Sequence, residues 1–225
     1  MELDFTTVLS RWPMLRDGAL LTLELALIAT TIGFAIGVAC AVGRRGSVRW
    51  IAAACGFYVE AVRNTPFLVQ IFLVYFGLSS LGLSLPAFTV ALVALSINVG
   101  AYATEIMRAG FDAIPRGQIE AGECLGLSRL QVYWHVILLP AVERVYPSLT
   151  SQFVLLMLAS SVTSQISTEE LTAAANFIQS DTYRAFETYI VVAVFYVALS
   201  LLMRAGFWAL GGAVFPRRRR LGTVI

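Results

Sequence analysis

The sequence predicts an all-α integral membrane protein with five transmembrane helices, its N-terminus outside and its C-terminus in the cytoplasm. Three observations lead there. Of 225 residues, 58% are hydrophobic and only 13% charged, against roughly 25% charged in an average soluble domain. A water-soluble fold of this size has too much surface to cover with so few charges. Whole segments also lack charge: Leu25 to Gly43, Asn64 to Thr104 and Val145 to Thr168 contain no Asp, Glu, Lys or Arg. A bilayer core about 30 Å thick is crossed by about 20 helical residues, so the middle run holds two helices and the others one each. Thr188 to Met203 is charge-free as well and continues past Arg204 to Phe215. The third observation is where arginine falls. With the N-terminus outside, thirteen of sixteen Arg lie on the inner side, and only Arg11, Arg16 and Arg184 outside. Cytoplasmic loops of membrane proteins carry that excess.

The elements follow in order. Residues 1–18 carry a net charge of −1, whereas a cleavable signal has a positive start. Arg44 and Arg45 follow the first apolar run directly, so that run is expected to stay in the membrane. The expected spans are 19–43, 57–79, 86–108, 141–165 and 188–212, in one transmembrane domain covering 1–225. Gly77 to Gly82 and then Pro86 mark a turn that splits the long run. Pro86 reads as a helix start. At Pro66 two readings stand: a first-turn proline, or a kink that leaves a backbone carbonyl facing a cavity.

Between the third and fourth spans lies the informative loop, about 109–140. Glu105 to Arg144 carries nine charges, too long and too charged for a simple turn. Glu120 to Leu125 reads as a short helix stopped by Gly126. Ser128 then reads as an N-cap, with Gln131 completing a capping box. Leu130, Val132, Tyr133 and Trp134 form no clean stripe, as expected of an element packed on several sides near the membrane surface. Past the last span, Arg217 to Arg220 form a basic tail suited to anionic lipid headgroups.

Several function classes drop out. A net charge of +2, without a basic helix interleaved with aromatics, gives no nucleic-acid surface. Cys40, Cys55 and Cys124 are far apart and have no His beside them, so metal and redox motifs are absent. No Walker A motif exists in a chain without Lys. His135 has no catalytic role assigned.

Polar residues in lipid are costly and face the protein interior or a watery path. Asn98, Tyr102 and Glu105 fall on one helical face, a candidate lining for a translocation path. Glu105 could equally pair with Arg108 three residues on. Gln152, Ser160, Ser161 and Ser164 of the fourth span are further candidates, against the alternative of helix packing through hydroxyl residues. Gln70, Ser96, Thr163 and Gln165 belong to the same polar set. Glu24 sits near the outer end of its span, where it can snorkel.

Gly117-Gln118-Ile119-Glu120-Ala121-Gly122, then Gly126, then Leu139-Pro140, resembles the EAA loop of ABC importer permeases. Gly122 replaces the second Ala, and Gly126 to Pro140 is one residue longer than the usual pattern, in the run Val136 to Leu139. Tyr58 to Gln70 resembles the "YvElfRgTPlLvQ" segment of the polar amino-acid (histidine, glutamine and glutamate) branch, with Asn64 for Gly. Ala101 to Gly110 resembles its "AYxxEixRag". Leu158 to Ile166 stands where relatives have "KDTSLxSxI", with Leu158-Ala159 for Lys-Asp. The resemblance runs from about residue 18 to 212. It implies a type I ABC importer permease fold and ATP-driven alternating access for a polar amino acid across the bacterial inner membrane. Gly117, Gln118, Glu120, Ala121, Gly126 and Leu127 would form the loop that docks an ATPase. The implied partners are an ABC ATPase dimer holding ATP-Mg, a second permease subunit, identical or homologous, and a periplasmic or lipid-anchored amino-acid-binding protein. This chain would bind no cofactor or metal and catalyse nothing itself. A secondary transporter would need paired broken helices from internal repeats, and five spans do not divide in two. A non-transporting scaffold leaves the Glu120 to Pro140 loop unexplained.

Overall fold

The computed structural model describes residues 3–215, and the arginine tail at 217–220 lies outside them. Those residues form α1 (Thr6–Leu9), α2 (Trp12–Arg45), α3 (Arg49–Arg63), α4 (Phe67–Ser80) and α5 (Ala87–Asp112), then α6 (Arg116–Cys124) and α7 (Arg129–Gln131). A π-helical segment, Val132–Leu138, leads into α8 (Leu139–Ala159), which tightens to a 3-10 segment, Ser160–Ile166. Two helices follow, α9 (Leu171–Thr182) and α10 (Ala185–Val214). Four continuous helices are long and apolar enough to cross a membrane: α2, α5, the run Arg129–Ile166 and α10.

The remaining expected span, 57–79, is broken. α3 ends at Arg63, α4 starts at Phe67, and their axes bend by 113°. Pro66 has no N–H to continue a helix and pushes Thr65 away from helical geometry. Pro66 itself is extended, with ψ of 140°, as the N-cap of α4. Pro66 thus stands at the start of α4 after a full break, and the Val62 and Thr65 carbonyls are capped by Gln70 instead of facing a cavity.

α5 is the most enclosed of the spans, and the others are arranged around it. Its closest partner is α2, and small residues make the approach possible. A Cβ on Gly37 would lie 2.5 Å from Ala103 Cβ, and one on Gly100 would lie 2.9 Å from Ile36 Cγ2. In lipid the hydrophobic effect does not drive helices together, so close packing through small residues does. Leu25, Ala29, Leu95, Val99 and Met107 fill the seam between the two helices. The Tyr58 hydroxyl donates to the Ile97 carbonyl at 2.6 Å and ties α3 to α5.

The π-helical segment accounts for the long stretch between Gly126 and Pro140. A π turn holds one residue more than an α turn, so it takes up one extra residue without rotating the helix that follows. It begins four residues ahead of the expected place, Val136 to Leu139.

α9 has no counterpart among the expected spans. Glu170 is its N-cap, fully buried, and accepts from the Thr172 and Ala173 amides at 2.9 Å each and from the Tyr196 hydroxyl at 2.9 Å. The Leu171 amide donates to Thr22 Oγ1 at 3.1 Å, locking α9 to α2. Burial pushes the Glu170 carboxyl above the usual carboxylate range, against those hydrogen bonds, which favour its ionised form. A raised folded-state value means full stabilisation below the ordinary carboxyl value, lost as pH rises through the folded value. Glu170→Gln keeps an acceptor for the cap but cannot ionise. It is expected to cost no more than about 1 kcal/mol and to abolish this part of the pH dependence. Melting temperature against pH for the variant and wild type checks this, and parallel curves would contradict it.

Candidate translocation and coupling site

On the inner side, the loop is built by local rules. α6 ends in a Schellman arrangement: the Gly126 amide donates to the Glu123 carbonyl at 2.9 Å and the Leu127 amide to the Gly122 carbonyl at 3.2 Å. Gly126 takes φ of +75°, the left-handed region that costs glycine least. Ser128 and Gln131 form the reciprocal capping box, with the Ser128 amide donating to Gln131 Oε1 at 2.9 Å.

Gly122 is the inward contact of α6. A Cβ there would meet Val136, Val132 and Leu127 side-chain carbons at 3.4, 3.5 and 3.6 Å. These are ordinary van der Waals distances, so the familiar Ala fits. Gly122→Ala is expected to stabilise the chain by about 0.5–1 kcal/mol through helix propensity and to leave uptake unchanged. A lower melting temperature for the variant would count against this packing.

Gly117, Gln118, Glu120, Ala121 and Gly126 all lie exposed, while Leu127 turns half inward. Beside them Leu125 is 81% exposed, and of the four residues expected to pack on several sides only Val132 and Tyr133 turn inward, while Leu130 is 67% exposed and Trp134 50%. Three large apolar side chains are thus exposed on this loop, interleaved with Glu120 and Arg129. Periodicity hid them, because exposure of single apolar residues leaves no period.

The ends of the spans that carry this loop are fixed by charge. Glu105 pairs with Arg44 of α2 and, at 2.8 Å, with Arg108. Arg108 continues to Asp112 at 3.0 Å, and Asp112 to Arg45 at 3.0 Å. Arg144 donates to the Ala113 carbonyl at 2.5 Å, tying the start of α8 to the end of α5. Glu105 is thus a member of an ion-pair network between α2 and α5, beyond the single partner three residues away.

The face carrying Asn98 and Tyr102 meets the broken span. The Gln70 amide donates to the Val62 and Thr65 carbonyls at 2.7 and 2.9 Å and to Thr65 Oγ1 at 2.9 Å. Asn98 in turn donates to Gln70 Oε1 at 2.9 Å. Carbonyls released by the break are therefore satisfied by side chains, as apolar surroundings require. The Arg63 guanidinium lies 5.6 Å from the centre of the Tyr102 ring, within range of a cation–π contact.

In the 3-10 segment the hydroxyls are used locally. Ser160, Ser161, Thr163 and Ser164 each donate to the carbonyl three residues back, at 2.6, 2.7, 2.7 and 2.8 Å. Ser160 is buried, whereas Ser161, Ser164 and Gln152 are half-buried. Their oxygens keep accepting capacity, because a hydroxyl that donates still has two lone pairs. α4 packs against this segment, so the break and the hydroxyl cluster belong to one side of the bundle.

Residues 33–213 match the family model described as "Binding-protein-dependent transport system inner membrane component". The chain is similar to the octopine transport system permease protein OccM of Rhizobium radiobacter, 30% identical over 91% of this chain and 87% of that protein. It is 35% identical to the probable glutamine ABC transporter permease protein GlnM of Bacillus subtilis (strain 168), over 91% of this chain and 94% of the other. A solved structure described as an amino acid ABC transporter with histidines superposes with a TM-score of 0.85 at 36% identity, covering 94% of this chain and 99% of its own. The fold, the broken span and the loop therefore have one explanation: the chain belongs to the family of binding-protein-dependent inner-membrane transport components, among the permease subunits of amino-acid ABC importers.

Proposed function

We propose that this permease moves a polar amino acid inward by alternating access, driven by ATP hydrolysis on a separate subunit. The observation that carries this reading is the exposed apolar and acidic surface of Leu125, Leu130, Trp134 and Glu120. It extends from α6 to the π-helical segment on which α6 packs and which continues into α8, so force applied there would reach α8. An ATPase dimer holding ATP-Mg would dock on it, while this chain binds no cofactor. A second permease subunit would complete the path, and a periplasmic or lipid-anchored binding protein would deliver the substrate outside. The names of the relatives, octopine and glutamine transport among them, support an amino acid as the cargo.

The path would run along the side where α4 meets the 3-10 segment. Tyr102, Gln152, Ser161 and Ser164 would touch the substrate, offering a ring and oxygen acceptors to an ammonium group. Asn98, Glu105 and Ser160 would shape the path without facing it, since their polar atoms are committed to Gln70, the arginines and Met157.

Reconstitution with a partner ATPase and binding protein tests the reading. ATP hydrolysis should rise when the loaded binding protein is added, and labelled amino acid should enter the vesicles only with ATP. Uptake by this chain alone, without ATP, would overturn it in favour of a secondary transporter.

A further inference from the structure

Between Glu187 and the end of α10 at Val214 there is a single charged side chain, Arg204. Among the described residues no carboxylate pairs with it. An unpaired cation in an apolar helix marks a site whose partner comes from elsewhere.

The surroundings of Arg204 define the partner's chemistry. It lines a cleft of about 310 Å³ between α8 and α10, with Tyr146, Thr150, Ser151, Phe207 and Trp208. The inner wall is fixed: the Tyr146 hydroxyl donates to the Phe207 carbonyl at 2.6 Å, and Gly211 leaves room for the Tyr146 ring. The Thr150 hydroxyl is already used on the Pro147 carbonyl at 3.0 Å. The guanidinium, the Trp208 indole N–H and the exposed Ser151 hydroxyl remain as donors, and no acid among the described residues lines the cleft. Such a donor set selects an oxyanion.

Depth selects the source of that oxyanion. A 30 Å core measured from Glu187 takes about 20 residues and ends near Phe207. Arg204 is then within one turn of the inner boundary, and Trp208, on the same helical face, stands at the interface where Trp is enriched. Just above the cleft, Val197, Leu201 and Leu202 are 57–61% exposed and suit an acyl chain. A soluble anion would leave them bare.

We propose that the Arg204 cleft binds the phosphate of an anionic phospholipid of the inner leaflet, with one acyl chain lying along α10. The lipid would brace α8 and α10 at the level where they leave the membrane. This lipid site rests on the topology of the chain, not on the identity of the substrate.

The test uses the whole importer complex, purified in mild detergent and titrated with phosphatidylglycerol or phosphatidylcholine under native mass spectrometry. Wild type should retain phosphatidylglycerol preferentially. Arg204→Gln should lower that retention at least about five-fold, as expected for losing one interfacial cation, while Arg204→Lys should keep most of it. Ser151→Ala, which leaves the charge in place, should lower retention by a smaller factor. The tail is common to all variants, so it cancels in the comparison. Equal retention by Arg204→Gln and wild type would overturn the proposal. So would displacement of the lipid by millimolar inorganic phosphate, which would mark a soluble-anion site. Unchanged lipid retention with lost amino-acid uptake would place Arg204 on the transport path instead.

Discussion

Gln70→Leu is expected to leave little folded protein. Leucine is close to glutamine in size, so the effect isolates hydrogen bonding from packing. The substitution removes three donated bonds, to the Val62 and Thr65 carbonyls and Thr65 Oγ1, and the bond accepted from Asn98. The Thr65 carbonyl and the buried Asn98 amide then lose their partner, while the Val62 carbonyl keeps only the longer bonds from Thr65, at 3.4 and 3.5 Å. Each unsatisfied group costs about 1–3 kcal/mol, so the total for the two is roughly 2–6 kcal/mol, and proteins are typically stable by only about 5–15 kcal/mol. The melting temperature of the detergent-solubilised complex, with the monodisperse fraction on gel filtration, measures it. Asn98→Leu should cost less, because it leaves the carbonyls capped. The double variant should be less destabilised than the sum of the two, since both act on one network. A Gln70→Leu protein that melts with wild type would show that the break is held by something else.

This clamp also shows which parts of the molecule are legible in the sequence. Rules that act within a few residues are readable: apolar runs of bilayer length, the left-handed stop at Gly126, the capping box of Ser128 and Gln131. Pro66 signals a possible break for the same local reason. The 113° bend is not readable, because the group that stabilises it is Gln70 held by Asn98, which lies 28 residues away. Glu105 repeats the lesson. Its pairing with Arg108 follows from helical spacing, while its partner Arg44 is 61 residues distant and is brought close only by the α2–α5 crossing. That crossing depends on Gly37 and Gly100, whose role is to be small. A single sequence shows that Asn98, Tyr102 and Glu105 share a face, but not that the face meets the broken span. α9 stays hidden because its N-cap is a buried Glu, a residue type that composition assigns to the surface.

The coupling surface carries the largest functional prediction. Leu125→Asp and Trp134→Asp are each expected to abolish ATP-driven uptake while leaving membrane insertion and folding intact. Leu125 is 81% exposed and Trp134 50%, so their replacement removes little internal packing from the permease. Docking of an ATPase would bury them, and burying one large apolar side chain contributes about 1.5–3 kcal/mol. An Asp at either position forfeits that contribution and adds the cost of dehydrating a carboxylate without a partner. A loss of about 3 kcal/mol weakens association more than a hundred-fold. Charge reversal at Glu120, by Glu120→Arg, should act in the same direction with a smaller factor, as expected for a contact at a polar rim. Co-purification of the ATPase with a tagged permease reads association directly, and stimulated ATP hydrolysis in vesicles reads coupling. Normal ATPase recovery with Leu125→Asp would remove α6 and its flanking turn from the docking site. Normal recovery with lost stimulation would be informative in another way: it would place Leu125 in transmitting the movement from the ATPase to α8, with binding carried by its neighbours.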